Sequence, residues 1–329
     1  MTRTAPADPR RLLRFPAVAF AAVLAVSGCA TVVPLPASAT PVSPSDPATP
    51  SAAPSASPSP SPSPSPTATM PPVLATGTPE PSGSPVPLVV PGQPAGPWAD
   101  PALVAHVPIL MYHVVGPGLD APTELRDLVV PTATFLAQMT ALHDVGWHTL
   151  TMAELAGDLA AGVAPPAKTF VITVDDGHVD GLTIIDPILR QLGYRATFYL
   201  VTGRLDRAGY LTDAQARVLV DDGMDVGNHT VHHPNLSTMS RTALVDEIGG
   251  AETALQAMTG IAPVTLAYPS GRFDATVISV TDGVGLALAV TTEYGALETW
   301  AIRLKLPRVR VHGDSTAAGL MDDLRALHL

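Results

Sequence analysis

Cysteine is almost missing. Cys29 is the only one in 329 residues, so no internal disulfide can form. Charge is also scarce, at 14% against 46% hydrophobic residues, which gives an Ala/Val-rich, globular average. Basic residues are the rarer sign. Residues 101–329 hold 14 Lys and Arg against 25 Asp and Glu, and such an acidic body opposes nucleic acid or an anionic membrane surface as partner. It does not oppose a neutral or cationic polymer. No apolar run reaches the ~20 residues of a membrane-spanning helix. Tryptophan occurs only at 98, 147 and 300, positions that define no sugar-stacking platform.

Proline, by contrast, is in excess. Of 36 prolines, 21 fall within 31–100, where Asp46, Glu80 and Asp100 are the only charges. Such a stretch cannot bury enough apolar surface to offset chain entropy, and no fold is expected there. The Ser-Pro alternation of 57–66 favours extended polyproline II at about 3.1 Å per residue, so the stretch reads as a tether reaching on the order of 200 Å. Ahead of it, Arg3, Arg10, Arg11 and Arg14 precede the apolar run Phe15–Gly28. That is the arrangement of a secretory signal, too short to span a bilayer. The run ends in Val26-Ser27-Gly28-Cys29, which resembles a bacterial lipobox. Cys29 is therefore the expected lipidation site, with the protein extracytoplasmic and held to the cell membrane by lipid alone. The expected organisation is a signal at 1–29, a Pro/Ser/Ala-rich linker at 30–103 and one folded domain at 104–329.

From Val107 onward, apolar runs alternate with helical patterns. Strands are expected at 107–115, 169–174, 196–201, around 224–226, and at 264–268, 286–291 and 309–311. Helices are expected at 132–145, from the Thr151-Met152-Ala153-Glu154 capping box, and at 182–192, 212–220, 241–258 and 316–327. Strands alternating with helices argue for an α/β fold with a parallel sheet and helices outside. At this size a barrel is favoured over an open sheet.

Three clusters at strand ends carry the chemistry. Thr173-Val174-Asp175-Asp176-Gly177 puts two adjacent carboxylates after an apolar run, with a glycine permitting a sharp turn; one carboxylate can face substrate and the other a metal. His229-Thr230-Val231-His232-His233 places His229 and His233 at i and i+4, close enough on a helical turn to grip one cation, with His232 facing elsewhere. Leu266-Ala267-Tyr268-Pro269-Ser270-Gly271-Arg272 ends a strand in a stiff, then open, turn whose backbone N–H groups can point into a site.

In this order the three clusters resemble the motifs of the polysaccharide deacetylases of carbohydrate esterase family four, the NodB-homology domain. Ala196-Thr197-Phe198-Tyr199-Leu200 and Leu306-Pro307-Arg308-Val309 extend the likeness over roughly 107–315. The resemblance implies a distorted (β/α) barrel of about seven strands, a divalent metal (usually zinc), and an acetylated glycan as substrate. It implies Asp175 as general base, Asp176, His229 and His233 as metal ligands, and the Ser270 N–H as an oxyanion donor. Four departures stand out. Val174 and Ser270 replace the usual Phe and Tyr. The late general-acid histidine has no clean match, leaving His113 or His312, with His113 favoured because it follows a barrel strand. The arginine that orients the base is displaced, and Arg308 and Arg272 are both candidates. The expected activity is removal of N-acetyl groups from an extracellular N-acetylhexosamine polymer, by a chain expected to be a monomer. An O-acetyl esterase and a non-catalytic glycan-binding lipoprotein are the competing readings.

Overall fold

The computed structural model describes residues 96–117 and 123–327. The signal segment, Cys29 and most of the proline-rich tether lie outside these residues. Among the described residues no helix is long and apolar enough to cross a membrane.

The chain enters through β1 (Val104–Ala105) and forms β2 (Ile109–Tyr112), β3 (Val114–Gly116) and β4 (Val129–Pro131). Next come α1 (Thr132–Asp144), β5 (His148–Leu150), α2 (Met152–Ala160) and β6 (Thr169–Val174). Then follow α3 (Asp186–Gln191), β7 (Thr197–Leu200), α4 (Asp213–Asp221), β8 (Asp225–Asn228) and α5 (Arg241–Thr259). The last elements are β9 (Thr265–Ala267), α6 (Ala275–Gly283), β10 (Leu288–Tyr294), β11 (Glu298–Thr299), β12 (Leu306–Arg310) and α7 (Ala317–Ala326).

Seven parallel strands neighbour one another in the order β2-β12-β10-β9-β8-β7-β6, and pairing of β2 with β6 closes the barrel. The closure is uneven. β5 pairs with the first half of β6, leaving only Thr173 and Val174 to meet β7, and β8 meets β9 at the single pair Asn228–Leu266.

Alternation along each strand sorts the core. Leu110, Ile172, Phe198 and Val309 face outward and pack on Phe135, Leu142, Leu189 and Leu320 of the surrounding helices. Ile109, Val171, Tyr199, Val290 and Leu306 make the other layer, packed with Met152, Leu155 and Leu159 of α2. That inward parity continues upward into the functional residues: 109-111-113, 171-173-175, 225-227-229, 288-290-292 and 306-308-310. His113, Asp175, His229, Thr292 and Arg310 thus inherit their direction from the strands that hold them.

Most expected elements are present; β1, β4, β5 and β11 are additional short strands that were not expected, and four further differences stand out. The packed region begins before residue 104: Trp98 is buried with its ring edge-on to Trp300, and the Ala99 N–H donates to the Ala160 carbonyl. Tryptophan can anchor a chain that its proline-rich surroundings otherwise keep from packing. The expected 107–115 strand breaks at His113, after which β3 leaves the barrel to pair with β4. The expected helix at 182–192 is a π-wound turn, Gly181–Ile185, joined to the short α3; Pro187 has no N–H to continue the ladder. Finally, α6 was not expected at all. Its sequence, Ala-Thr-Val-Ile-Ser-Val-Thr-Asp-Gly, is rich in β-branched residues, yet Asp274 caps its N-terminus by accepting from the Val277 N–H at 2.9 Å.

Candidate active site

At the C-terminal ends of the barrel strands lies a cavity of about 230 Å3, lined by His113, Asp175, Asp176, His229, His233, Ser270, Thr292 and Arg310 among others. In a barrel of this kind that end is where strand-following loops meet. The three sequence clusters, 175–176, 229–233 and 268–272, converge there.

Asp175 continues the inward parity of β6 and is buried. Asp176 does not follow that parity. Its φ of 78° is left-handed, as is that of Gly177, so the chain turns sharply and the two adjacent carboxylates part. One Asp176 carboxylate oxygen lies 3.6 Å from His233 Nε2 and 4.0 Å from His229 Nε2.

The histidines are not on a helical turn, contrary to the sequence expectation. His229 follows the end of β8 in non-helical backbone, and the chain then doubles back through Thr230 (φ 68°) and His233 (φ 59°), both left-handed. For a β-branched threonine this conformation is strained, and it is held by hydrogen bonds. The Thr230 N–H donates to Asn228 Oδ1 at 2.8 Å, and the His233 N–H donates to Thr230 Oγ1 at 3.0 Å. Asn228 is fully buried and anchors the loop to α5 by donating from Nδ2 to the Ile248 carbonyl. As expected, His232 turns away; its Nδ1 meets Glu247 at 2.7 Å.

Asp176, His229 and His233 each offer a ligand atom within 4.8 Å of the others. His229 Nδ1 lies 2.7 Å from the Ala267 carbonyl, which can only accept, so Nδ1 carries the proton and the Nε2 lone pair faces the centre. One carboxylate oxygen and two imidazole nitrogens fit a zinc-type ion with coordination positions to spare.

The third cluster contributes shape. Ser270 is left-handed at φ 52° and lines the cavity. Gly271 follows at φ 65°, where an added Cβ would lie 2.2 Å from Thr292 Oγ1, so no side chain fits there. Tyr268 is buried and donates its hydroxyl to the Leu304 carbonyl.

The alternatives left open by the sequence separate cleanly. Arg308 is buried and forks onto Asp175, Nη1 to Oδ1 and Nη2 to Oδ2, both at 2.8 Å. Its Nη1 also reaches Thr173 Oγ1, and its Nε donates to the Thr291 carbonyl. Arg272 is exposed and does not line the cavity. His113 lines the cavity with both aspartates, whereas His312 pairs at 2.8 Å with Asp127 on the exposed surface. Sequence reasoning missed two cations. Arg204, from the turn after β7, holds Asp176 at 2.9 Å, and Arg310 lines the cavity mouth. The parity of β12 was the available signal for Arg310; Arg204 sits on an irregular turn, where no spacing rule applies.

Protonation follows from these contacts. Burial pushes the Asp175 carboxyl up, but the Arg308 guanidinium overrides it, with His229 and His113 adding to the pull, and the net result lies well below the usual carboxylate range. Asp176 shows the same contest: burial raises it, His229, His113 and His233 lower it, and the net shift is downward. Burial and then the neighbouring His229 push His233 down to about 4, which leaves it a neutral ligand at ordinary pH. Burial likewise lowers His113, against the opposing pull of Asp175 and Asp176.

Residues 162–289 match the family model described as "Polysaccharide deacetylase". That span contains all three clusters but neither His113 nor Arg308. The chain is 29% identical over 214 residues to YxkH of Bacillus subtilis, which carries a provisional polysaccharide deacetylase designation; the match covers 65% of this chain and 74% of that one. Among solved structures, the Streptococcus pyogenes deacetylase PplD in complex with acetate superposes with a TM-score of 0.62 at 28% identity, over 66% of this chain and 97% of that one. A polysaccharide deacetylase from Bacillus cereus gives 0.60 at 29% identity, over 67% and 69%.

Proposed function

The described region carries a polysaccharide deacetylase domain, and from that premise we propose that the protein is a metal-dependent hydrolase removing N-acetyl groups from an extracytoplasmic N-acetylhexosamine polymer, to which it is presented by a lipid anchor at Cys29. The observation that carries this reading is the pairing of two carboxylates with separate duties. Asp176 belongs to the Asp/His/His triad, while Asp175 lies beside it and is ionised by Arg308.

A divalent cation held by Asp176, His229 and His233, zinc on this donor set, would polarise the acetyl carbonyl and acidify a water. The chain's own residues do the rest. Asp175 Oδ atoms accept the proton released as water attacks, and the Arg308 fork keeps that carboxylate in one orientation. The Ser270 N–H, on the left-handed turn that lines the cavity, would serve as the donor to the growing negative charge on the acetyl oxygen. His113 delivers a proton to the departing nitrogen, because an amine leaves poorly as its anion.

The full chain should release acetate from N-acetylglucosamine oligomers or peptidoglycan, and a chelator should stop it with divalent metal restoring the rate. Metal-loaded protein that releases no acetate from any acetylated glycan would overturn this reading. One observation favours a second reading, O-acetyl ester hydrolysis at the same site: burial holds His113 toward its neutral form, and an alcohol leaves with less help from an acid than an amine does. For the anchor, a Cys29→Ser chain should be shed into the medium while the native chain stays with the membrane fraction.

A further inference from the structure

Arg204 stands where the two ligand-bearing loops meet. Its turn, Thr202–Arg204, follows β7 and is stitched to both. On one side the Thr202 N–H donates to the Thr230 carbonyl at 3.2 Å and the Gly203 N–H to the Val231 carbonyl at 2.8 Å. The turn therefore rests on the loop between His229 and His233. The approach is so close that a Cβ at residue 203 would lie 2.6 Å from the Val231 oxygen, so the turn needs its glycine. On the other side, the segment after the turn pairs with the chain that follows Asp176. The Leu211 N–H donates to the Gly177 carbonyl and the Val179 N–H to the Gly209 carbonyl, both at 3.0 Å. The Tyr210 ring stacks on His178 with centroids 4.6 Å apart.

From this junction the Arg204 side chain crosses to Asp176. Its guanidinium lies 5.7 Å from the Tyr210 ring centroid, and its Nη1 donates to Asp176 Oδ1 at 2.9 Å. Oδ1 is also the oxygen that lies 3.6 Å and 4.0 Å from the two histidine Nε2 atoms. The arginine thus holds the carboxylate by the same oxygen that the Asp/His/His set offers to a cation. Both side chains are mostly buried, and a charge-assisted hydrogen bond there is strong and directional. To bring its second oxygen toward the histidines, the carboxylate would have to rotate and break that bond.

We propose that Arg204 is a positioning residue that restricts Asp176 to one-oxygen ligation and so biases the site toward ions content with few ligands. Zinc is satisfied by about four ligands, whereas manganese takes about six, mostly oxygens, and gains from a second carboxylate oxygen. The proposal rests on the metal site of the deacetylase reading and not on the reaction. The charge of Arg204 also repels any cation, but it does so alike for two divalent ions. The bias therefore shows in the ratio of two affinities and not in either one alone.

The test is calorimetric titration of the full, metal-free chain with Zn2+ and, separately, with Mn2+. Arg204→Met keeps an aliphatic stem beside Tyr210 but loses the donor, and its manganese-to-zinc Kd ratio should fall about tenfold from the native value. Arg204→Lys keeps the charge and a donor without the planar guanidinium, and its ratio should lie between the two. Arg207→Met removes a neighbouring exposed charge and should leave the ratio native. A native ratio in Arg204→Met overturns the proposal, as does a shift that Arg207→Met reproduces. If Arg204→Met fails to fold by circular dichroism, the lysine variant decides, and a native ratio there overturns it. A native chain that binds neither ion removes the metal site and the proposal together. Ions bound with the expected change of ratio, but no acetate released from any acetylated glycan, would remove the deacetylase reading and leave the role of Arg204 standing.

Discussion

Arg308 and Asp175, 133 positions apart in the chain, meet as a two-point ion pair with both N–H···O distances at 2.8 Å, the arginine side chain fully buried and the carboxylate only 3% exposed, at the cavity floor. Folding removes both charges from water, so each needs the other. Arg308→Met should lower stability by about 3–5 kcal/mol, because an unpaired buried carboxylate remains. Burial would then dominate at Asp175 and raise its pKa. In the native chain the carboxylate is ionised above the ordinary carboxylate range, and the pair's stabilisation is lost only as pH falls through its depressed value. In the variant, the acid limb of the rate profile should move to higher pH. Denaturant unfolding and a pH–rate profile check the two halves.

Asp175→Asn separates the base from the metal site. The substitution keeps volume but removes the proton acceptor, which predicts a drop in turnover of roughly 10²–10⁴. Asp176, His229 and His233 remain, so metal content should stay equal to that of the native chain. His229→Ala should do the reverse and lose the metal itself. Elemental analysis alongside acetate release distinguishes the cases, and full activity in Asp175→Asn would remove Asp175 from its assigned role.

The first and second clusters were legible in the sequence because strand ends fix direction. Asp175 directly follows the continuous apolar run of β6 and His229 directly follows β8, so each sits at a strand end where the loops of a barrel meet. The way His229 and His233 approach each other was not legible. Spacing of four suggests a helix, whereas the real path depends on Thr230 and His233 adopting left-handed backbone, imposed by Asn228 from a buried position. Only tertiary structure reveals that. The choice between Arg308 and Arg272 is similar: both lie near strand ends, and what decides is that β12 neighbours β2, which in turn pairs with β6. The helix α6 was hidden by its β-branched composition, which local propensity assigns to strands.

Asn228 never touches the proposed ion, yet it should control metal affinity. It accepts from the Thr230 N–H and donates to the Ile248 carbonyl, both at 2.8 Å, in a fully buried position. Asn228→Ala orphans both partners and should cost about 1–3 kcal/mol. The strained Thr230 turn would then relax and His233 would drift from Asp176, weakening metal binding by about 10–100-fold. Metal titration of the folded variant, judged intact by circular dichroism, is the measurement. Unchanged affinity would mean the loop holds its shape without this anchor.

His113→Ala should distinguish amide from ester chemistry. If His113 supplies the proton to the leaving nitrogen, its loss should slow amide hydrolysis by roughly 10²–10⁴. An acetyl ester on the same sugar should lose far less. Replacing His312, which is paired with Asp127 away from the cavity, should not reproduce the difference. Equal losses on both substrates in His113→Ala would assign it a positioning role.

Glu298 sets a pH dependence remote from the active site. Its side chain is fully buried, with one oxygen accepting from the Val107 N–H at 2.8 Å and the other without a partner. Burial pushes its carboxyl up to about 8. The folded state therefore holds a proton that the unfolded chain releases near pH 4.5. That contribution to stability is complete below about pH 4.5 and declines as pH rises toward 8, by a few kcal/mol in all. Glu298→Gln mimics the protonated form and should flatten the decline, remaining at pH 8 close to the stability that the native chain shows at pH 5 once other titrations are matched. Melting temperatures of both proteins between pH 5 and 8 measure the difference, and parallel curves would show that Glu298 is already ionised in the fold.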